Sequence, residues 1–162
     1  MRGRSYEGRP RNVDEIDARR RLANDPGLMG HKRAIRTGAY VLVVRLERCV
    51  NLQVGKLGRF MFAAGVYAYV GSAMNGLDAR LARHRRREKK LHWHIDYLLR
   101  HGTIVNVLEF ESSDRQECQL NARVREGWNT EHPAPGFGSS DCRCTSHLHL
   151  LPPGTGTSAL RP

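Results

Sequence analysis

No run in this sequence approaches the roughly 18 apolar residues that a helical membrane span requires, and the N-terminus is charged without an apolar signal segment. A soluble, cytoplasmic protein is the expectation. Cysteine is sparse, with four in 162 residues, and in that compartment Cys49, Cys118, Cys142 and Cys144 are expected to stay reduced. No internal repeat is visible. Acidic residues are scarce too: 16 stand against 27 lysines and arginines, a formal net charge of +11. Such an excess attracts polyphosphate whatever its sequence, so nucleic acid is the first partner to consider. A merely solubilising basic surface is the plainer alternative.

What is present suffices for one domain. Hydrophobic residues make up 40% of the chain, enough for a single core of ordinary size. Residues 1–36 are arginine-rich and poor in large apolar side chains, which predicts a basic flexible arm, with Asp14 to Ala23 able to form a short helix. Pro152 to Ser158 is linker-like and opens a flexible tail over 152–162. The folded domain is thus expected over 37–151.

Inside it, β-branched residues from Ala39 to Leu46 predict a strand with Tyr40, Leu42, Val44 and Leu46 on one face. Gly65 to Val70 predicts a second strand with Tyr67 and Tyr69 on one side. The glycine-punctuated connection from Val50 to Phe62 has room for a short strand of its own. Asn75, with Asp78 three residues on, suggests a capping box for a helix carrying Leu77, Leu81 and His84 on one face, with Arg80 beside them. A second helix is expected from about His92 to Gly102, a third strand over Ile104 to Phe110, and a helix from Asp114 to about Val124 with Glu117 in its middle. The order β, β, α, α, β, α predicts an α+β fold, a small sheet with helices against it.

Gly38-Ala39-Tyr40, Tyr69-Val70-Gly71, Arg80, His84 and Glu117 together resemble the GIY-YIG nucleases. The wording from Gly65 to Ala73, from His92 to Tyr97 and from Gly136 to Cys142 is similar to the Uri-type subfamily. The first motif reads Gly-Ala-Tyr rather than Gly-Ile-Tyr, and the connection between motifs is long; both are consistent with that branch. The resemblance implies a three-stranded antiparallel sheet flanked by helices and a DNA endonuclease that cuts one strand with a single Mg²⁺ or Mn²⁺. It carries over Tyr40 and Tyr69 as the motif tyrosines, Arg80 as the helix arginine, His84 as the histidine one turn later, and Glu117 as the metal ligand.

Elementary chemistry gives those residues compatible work. Phosphodiester hydrolysis needs a deprotonated water, neutralised phosphorane charge and help for the leaving alkoxide. A tyrosine with an ordinary pKa near 10 serves as base only if a cation lowers that value or a neighbour takes the proton onward. Arg80 offers a planar fork for two phosphate oxygens. Glu117 can hold a hard divalent cation with water and phosphate completing the shell. Taken singly, each has a plainer reading: packed strand tyrosines, a solvated helix face, an exposed glutamate.

Three further features complete the expectations. His92 and Asp96 lie four apart and can pair on a helix, with His92 as a proton relay at the site or as half of a structural polar pair. Lys56, Arg83, Arg86, Arg87, Lys89 and Lys90 are expected to contact nucleic-acid phosphates, which position a duplex without reading its sequence. Cys142, Cys144, His147 and His149, with Cys118 as a further ligand, invite zinc, but their spacing is not a usual finger pattern. No structural zinc is expected. Asp141 is a further possible neighbour of the site. The overall expectation is a metal-dependent nicking or structure-selective DNA endonuclease serving repair or processing. The alternatives are a nucleic-acid-binding module without turnover and a zinc-stabilised interaction domain.

Overall fold

The computed structural model describes residues 34–128 and 130–155. Residues 1–33 of the expected arm, including its helix, and the tail beyond 155 lie outside the described residues. The elements run β1 (Gly38–Leu46), β2 (Val50–Val54), β3 (Gly58–Phe62), β4 (Gly65–Ser72), α1 (Leu77–Arg85), α2 (His94–Leu99), β5 (Thr103–Glu111), α3 (Glu117–Trp128) and β6 (Leu148–Leu150). The fold is α+β, as its element pattern predicts. Strands β5, β1 and β4 form the antiparallel centre, and the short β6 adds to the edge of β4. Among the described residues no helix is long and apolar enough to cross a membrane.

β1 is buried on both faces, so its apolar residues serve two cores rather than the one that alternation suggested. Tyr40, Leu42, Val44 and Leu46 meet Leu77 and Leu81 of α1 and Ile95 and Leu98 of α2. Ala39, Val41 and Val43 pack on the other side with Leu120 and Val124 of α3. Fully burying one aliphatic side chain of this size contributes about 1.5–3 kcal/mol, which makes β1 the strand on which both layers depend.

The long connection forms a complete hairpin. β2 and β3 pair from Val50–Phe62 to Val54–Gly58, around a turn in which Gly55 has φ 49° and the Leu57 N–H donates to the Val54 carbonyl at 2.9 Å. Upstream of β1, the Arg36 guanidinium donates to Glu111 at 2.7 Å, to Asp78 at 2.9 Å and to Glu109. It thereby ties the entry of the domain to β5 and α1.

The starts of α1 and α3 differ from expectation. α1 begins after Gly76, whose φ of 126° turns the chain, and no side chain caps it. The Leu77 N–H instead donates to the Arg36 carbonyl at 2.8 Å, so the Asn75–Asp78 capping box does not form. α3 begins at Glu117 rather than Asp114, because the Ser112 hydroxyl accepts the Asp114 N–H at 3.0 Å and holds that segment in a turn. Glu117 consequently lies in the first helical turn.

Candidate functional site

The two glycine–tyrosine motifs meet across the β1–β4 ladder, where Tyr40 is directly opposite Gly71. A Cβ at Gly71 would lie 2.4 Å from the Tyr40 hydroxyl oxygen and 2.5 Å from its Cζ, so the tyrosine ring lies against glycine backbone. Gly38 is fixed differently. Its φ is 149°, and a Cβ there would meet the Phe110 carbonyl of β5 at 2.1 Å. The motif glycines therefore answer to steric requirements of the central sheet, and the tyrosine position follows from them.

The Tyr40 hydroxyl is 2.8 Å from Nε2 of His84, which α1 delivers from the buried face it shares with Leu77 and Leu81. Behind His84, its Nδ1 is 4.0 Å from Oδ1 of Asp96 and has no hydrogen-bond partner of its own. Burial is the main cause that pushes the His84 imidazole down to about 4, against the opposing pull of Asp96. The ring is thus neutral at physiological pH and its Nε2 can accept a proton. Burial also raises Tyr40 and Tyr69 well above the ordinary tyrosine range, with Arg80 acting to lower both and Glu117 to raise both.

Asp96 organises this side of the site. It is fully buried and accepts both Arg83 Nη1 and Nη2 at 3.0 Å, as well as the His92 and Trp93 backbone N–H groups at 2.9 and 3.0 Å. Lys89 Nζ is 3.6 Å from the same carboxylate and donates to the His84 carbonyl at 2.7 Å. Hydrogen bonds from Arg83 and these two backbone groups hold the Asp96 carboxyl below its ordinary range despite burial. Charged donors of this bidentate kind are the strong ones.

A second wall completes a cavity of about 210 Å³ lined by Tyr40, Tyr69, Arg80, Trp93, Glu117 and Asp141, among others. Arg80 stacks over the Trp93 ring at 4.0 Å to the centroid, and Arg83 lies 4.1 Å from it. Such stacking fixes the guanidinium plane while leaving its donors available. Tyr69 stands edge-on to Phe137 at 6.1 Å and against Gly138, where a Cβ would lie 2.8 Å from its ring. Arg115 and Asp141 pair at 3.6 Å on the rim.

The structure thus brings Tyr40, Tyr69, Arg80 and Glu117 to one cavity, with His84 bonded to Tyr40. His92 is placed otherwise. α2 begins at His94, not His92, so the four-residue spacing to Asp96 is not helical: Asp96 receives the His92 backbone N–H, while the exposed ring stands edge-on to Trp93 at 5.0 Å. Arg83 and Lys89 are committed to Asp96 rather than to open surface. Arg86, Arg87 and Lys90 are exposed, as is Lys56 in the β2–β3 turn. Arg86 and Arg87 line, with Arg85, Arg100 and His101, a cleft of about 470 Å³. Local sequence assigns no role to Trp93 or Arg100. Trp93 is signalled only by its position after a basic run, and Arg100 only by the fold.

The expectation that structural zinc is absent from the design is corrected. Cys118, Cys142, Cys144 and His147 offer ligand atoms that all lie within 4.8 Å of one another. Spacing misled because one ligand comes from α3, 24 residues before the nearest of the others by chain number. His149 is not among them; its ring bonds Asn121 and Thr130 at 2.7 and 2.8 Å.

Comparison with protein families places residues 39–159 within the domain of unknown function DUF123. The chain belongs to the DUF123 family. This is a GIY-YIG-like family, in keeping with the paired Gly38–Tyr40 and Tyr69–Gly71 segments on the central strands. Searches of curated proteins and of solved structures returned no match. The DUF123 segment takes in β1 from Ala39 onward and the other strands and helices of the described residues, and with them every residue that lines the cavity.

Proposed function

We propose that this DUF123 protein is a metal-dependent DNA endonuclease of the Uri-type GIY-YIG branch, hydrolysing one phosphodiester bond per site. The observation that carries the reading is the 2.8 Å contact between the Tyr40 hydroxyl and His84 Nε2. It supplies what the chemistry demands of a tyrosine with a high pKa, an onward acceptor for its proton. As water attacks phosphorus, the Tyr40 oxygen takes the water proton while its own proton passes to His84 Nε2. Asp96, 4.0 Å from Nδ1, favours the imidazolium so formed. The phosphorus–oxygen bond to the leaving group breaks, and the alkoxide is protonated from solvent.

Arg80, held flat by Trp93, directs its fork at the phosphate and offsets the charge that grows in the transition state. Glu117 and Asp141 line the same cavity. Their hard oxygen donors suit Mg²⁺ or Mn²⁺, with Glu117 as ligand, and such an ion supplies Lewis-acid neutralisation of phosphate charge. The exposed Arg86, Arg87, Lys90 and Lys56 offer phosphate contacts that place DNA without reading it. Repair or processing of DNA is the role that goes with this reading.

The test is cleavage of a panel of labelled DNA structures with Mg²⁺ or Mn²⁺ by the parent, Tyr40→Phe and Glu117→Ala. Loss of a general base or relay typically costs 10²–10⁴-fold, so Tyr40→Phe is expected to fall at least 100-fold, and Glu117→Ala, without its metal ligand, to lose cleavage, while both retain DNA affinity. Parental rates in either variant would overturn the assignment.

A further inference from the structure

The cysteine–histidine cluster adjoins the proposed active site, and one member, His147, also lines its cavity. Cys118 is the second residue of α3, directly after Glu117; Cys142 and Cys144 belong to the loop before β6; His147 closes that loop. The loop is firmly built. Gly136 N–H donates to the Thr145 carbonyl at 2.7 Å, His147 N–H to the Phe137 carbonyl at 2.7 Å, and the Val70 N–H of β4 to the His147 carbonyl at 2.9 Å. His147 itself is buried, and its Nε2 is 3.4 Å from Cys142 Sγ. In a tetrahedral site with zinc–sulfur bonds of about 2.3 Å and zinc–nitrogen bonds of about 2.0 Å, neighbouring ligand atoms stand roughly 3.5–3.8 Å apart. A set whose widest separation is 4.8 Å closes onto an ion by small rotamer adjustments.

We infer that Cys118, Cys142, Cys144 and His147 form a structural zinc site that clamps the first turn of α3 to the loop before β6. Three sulfurs and one imidazole nitrogen complete a tetrahedron from the protein alone. No position is left for water or substrate, so the site is structural rather than hydrolytic. Soft thiolates select zinc over the hard ions suited to Glu117. The fourth cysteine, Cys49, lies apart with its sulfur 3.1 Å from that of Met61.

The clamp has a consequence for the neighbouring cavity, and this part rests on the nuclease reading. Glu117 is bonded in sequence to one ligand, and Asp141 precedes another. With the metal in place, both carboxylates are held at the cavity wall, which makes Cys118 a positioning residue for Glu117.

The experiment is metal analysis of full-length protein purified without added zinc, followed by cobalt substitution. One zinc per chain is expected, and Co²⁺ is expected to give thiolate-to-cobalt charge-transfer bands with tetrahedral ligand-field absorption. Cys144→Ser should lose or weaken zinc and alter the cobalt spectrum, while Cys49→Ser should bind as the parent does. Where Cys144→Ser does not fold, cobalt titration of the metal-stripped parent decides the matter alone. Substoichiometric trace zinc with an octahedral, thiolate-free cobalt spectrum would overturn the inference. So would parental zinc content in folded Cys144→Ser. These readouts require no cleavage, so a failed zinc site and a failed nuclease assignment are told apart.

Discussion

Replacing Gly71 with alanine tests whether the geometry of the strand motifs, and not only their side chains, produces the proposed chemistry. The new Cβ would lie 2.4 Å from the Tyr40 hydroxyl oxygen, 2.5 Å from Cζ and 2.9 Å from Cε2. Non-bonded contacts of this kind relax to about 3.5 Å, so the ring must retreat by roughly 1 Å. Tyr40 is 1% exposed, packed in the core with Leu42, Leu77 and Leu81. The 2.8 Å contact with His84 then stretches beyond hydrogen-bonding range. Overpacking of a core typically costs about 1–3 kcal/mol, and for a domain of this size about 4 °C per kcal/mol follows, a Tm loss of about 4–12 °C. Single-turnover cleavage at a temperature well below both transitions should fall about 100-fold or more. Combined with Tyr40→Phe, the loss should be strongly non-additive, since both changes break the same contact. A Gly71→Ala protein that loses stability but cleaves at the parental rate would refute the relay.

Two further outcomes follow from Asp96 and His84. Asp96→Asn leaves Arg83 and Lys89 facing a neutral amide; breaking a buried pair typically costs about 3–5 kcal/mol, somewhat less here because Arg83 is partly exposed. Thermal unfolding at neutral pH should register it, and an unchanged Tm would show that these contacts contribute nothing. His84 is held neutral by burial, its value lowered from 6.5 to about 4. The unfolded chain therefore binds a proton in that window that the folded chain does not, and stability falls as pH drops from 6.5 towards 4. Denaturant unfolding across that range should show a shallower decline in His84→Gln than in the parent; identical profiles would contradict the buried neutral ring.

The sequence carried the strands well because β-branched density and tyrosine alternation are local signals. It carried the pairing of Tyr40 with the second motif only through resemblance, since nothing local says that Gly71 faces Tyr40. Asp96 shows the limit most clearly. Its four-residue spacing from His92 suggested a side-chain pair, yet α2 starts two residues later, and the carboxylate is buried among Arg83, Lys89 and backbone donors. That environment arises from α1 packing against the start of α2, a tertiary fact. The capping box failed similarly, because the segment before β1 supplied the Leu77 N–H with a carbonyl that no local window contains.

The adjacency of Glu117 and Cys118 is where these strands of argument meet. In an α-helix successive side chains diverge by roughly 100°, so two neighbouring ligands cannot serve one small ion. They can serve two sites on either side of the helix start. Here the carboxylate lines the cavity of Tyr40 and Arg80, whereas the thiol joins Cys142, Cys144 and His147. The donor chemistry sorts the ions without further help, hard oxygen for Mg²⁺ or Mn²⁺ and thiolate for zinc. On this arrangement a chelator selective for zinc acts on Glu117 indirectly, through the first turn of α3. Cleavage lost on zinc removal should return with zinc and not with extra Mg²⁺; recovery with Mg²⁺ alone would separate the two sites.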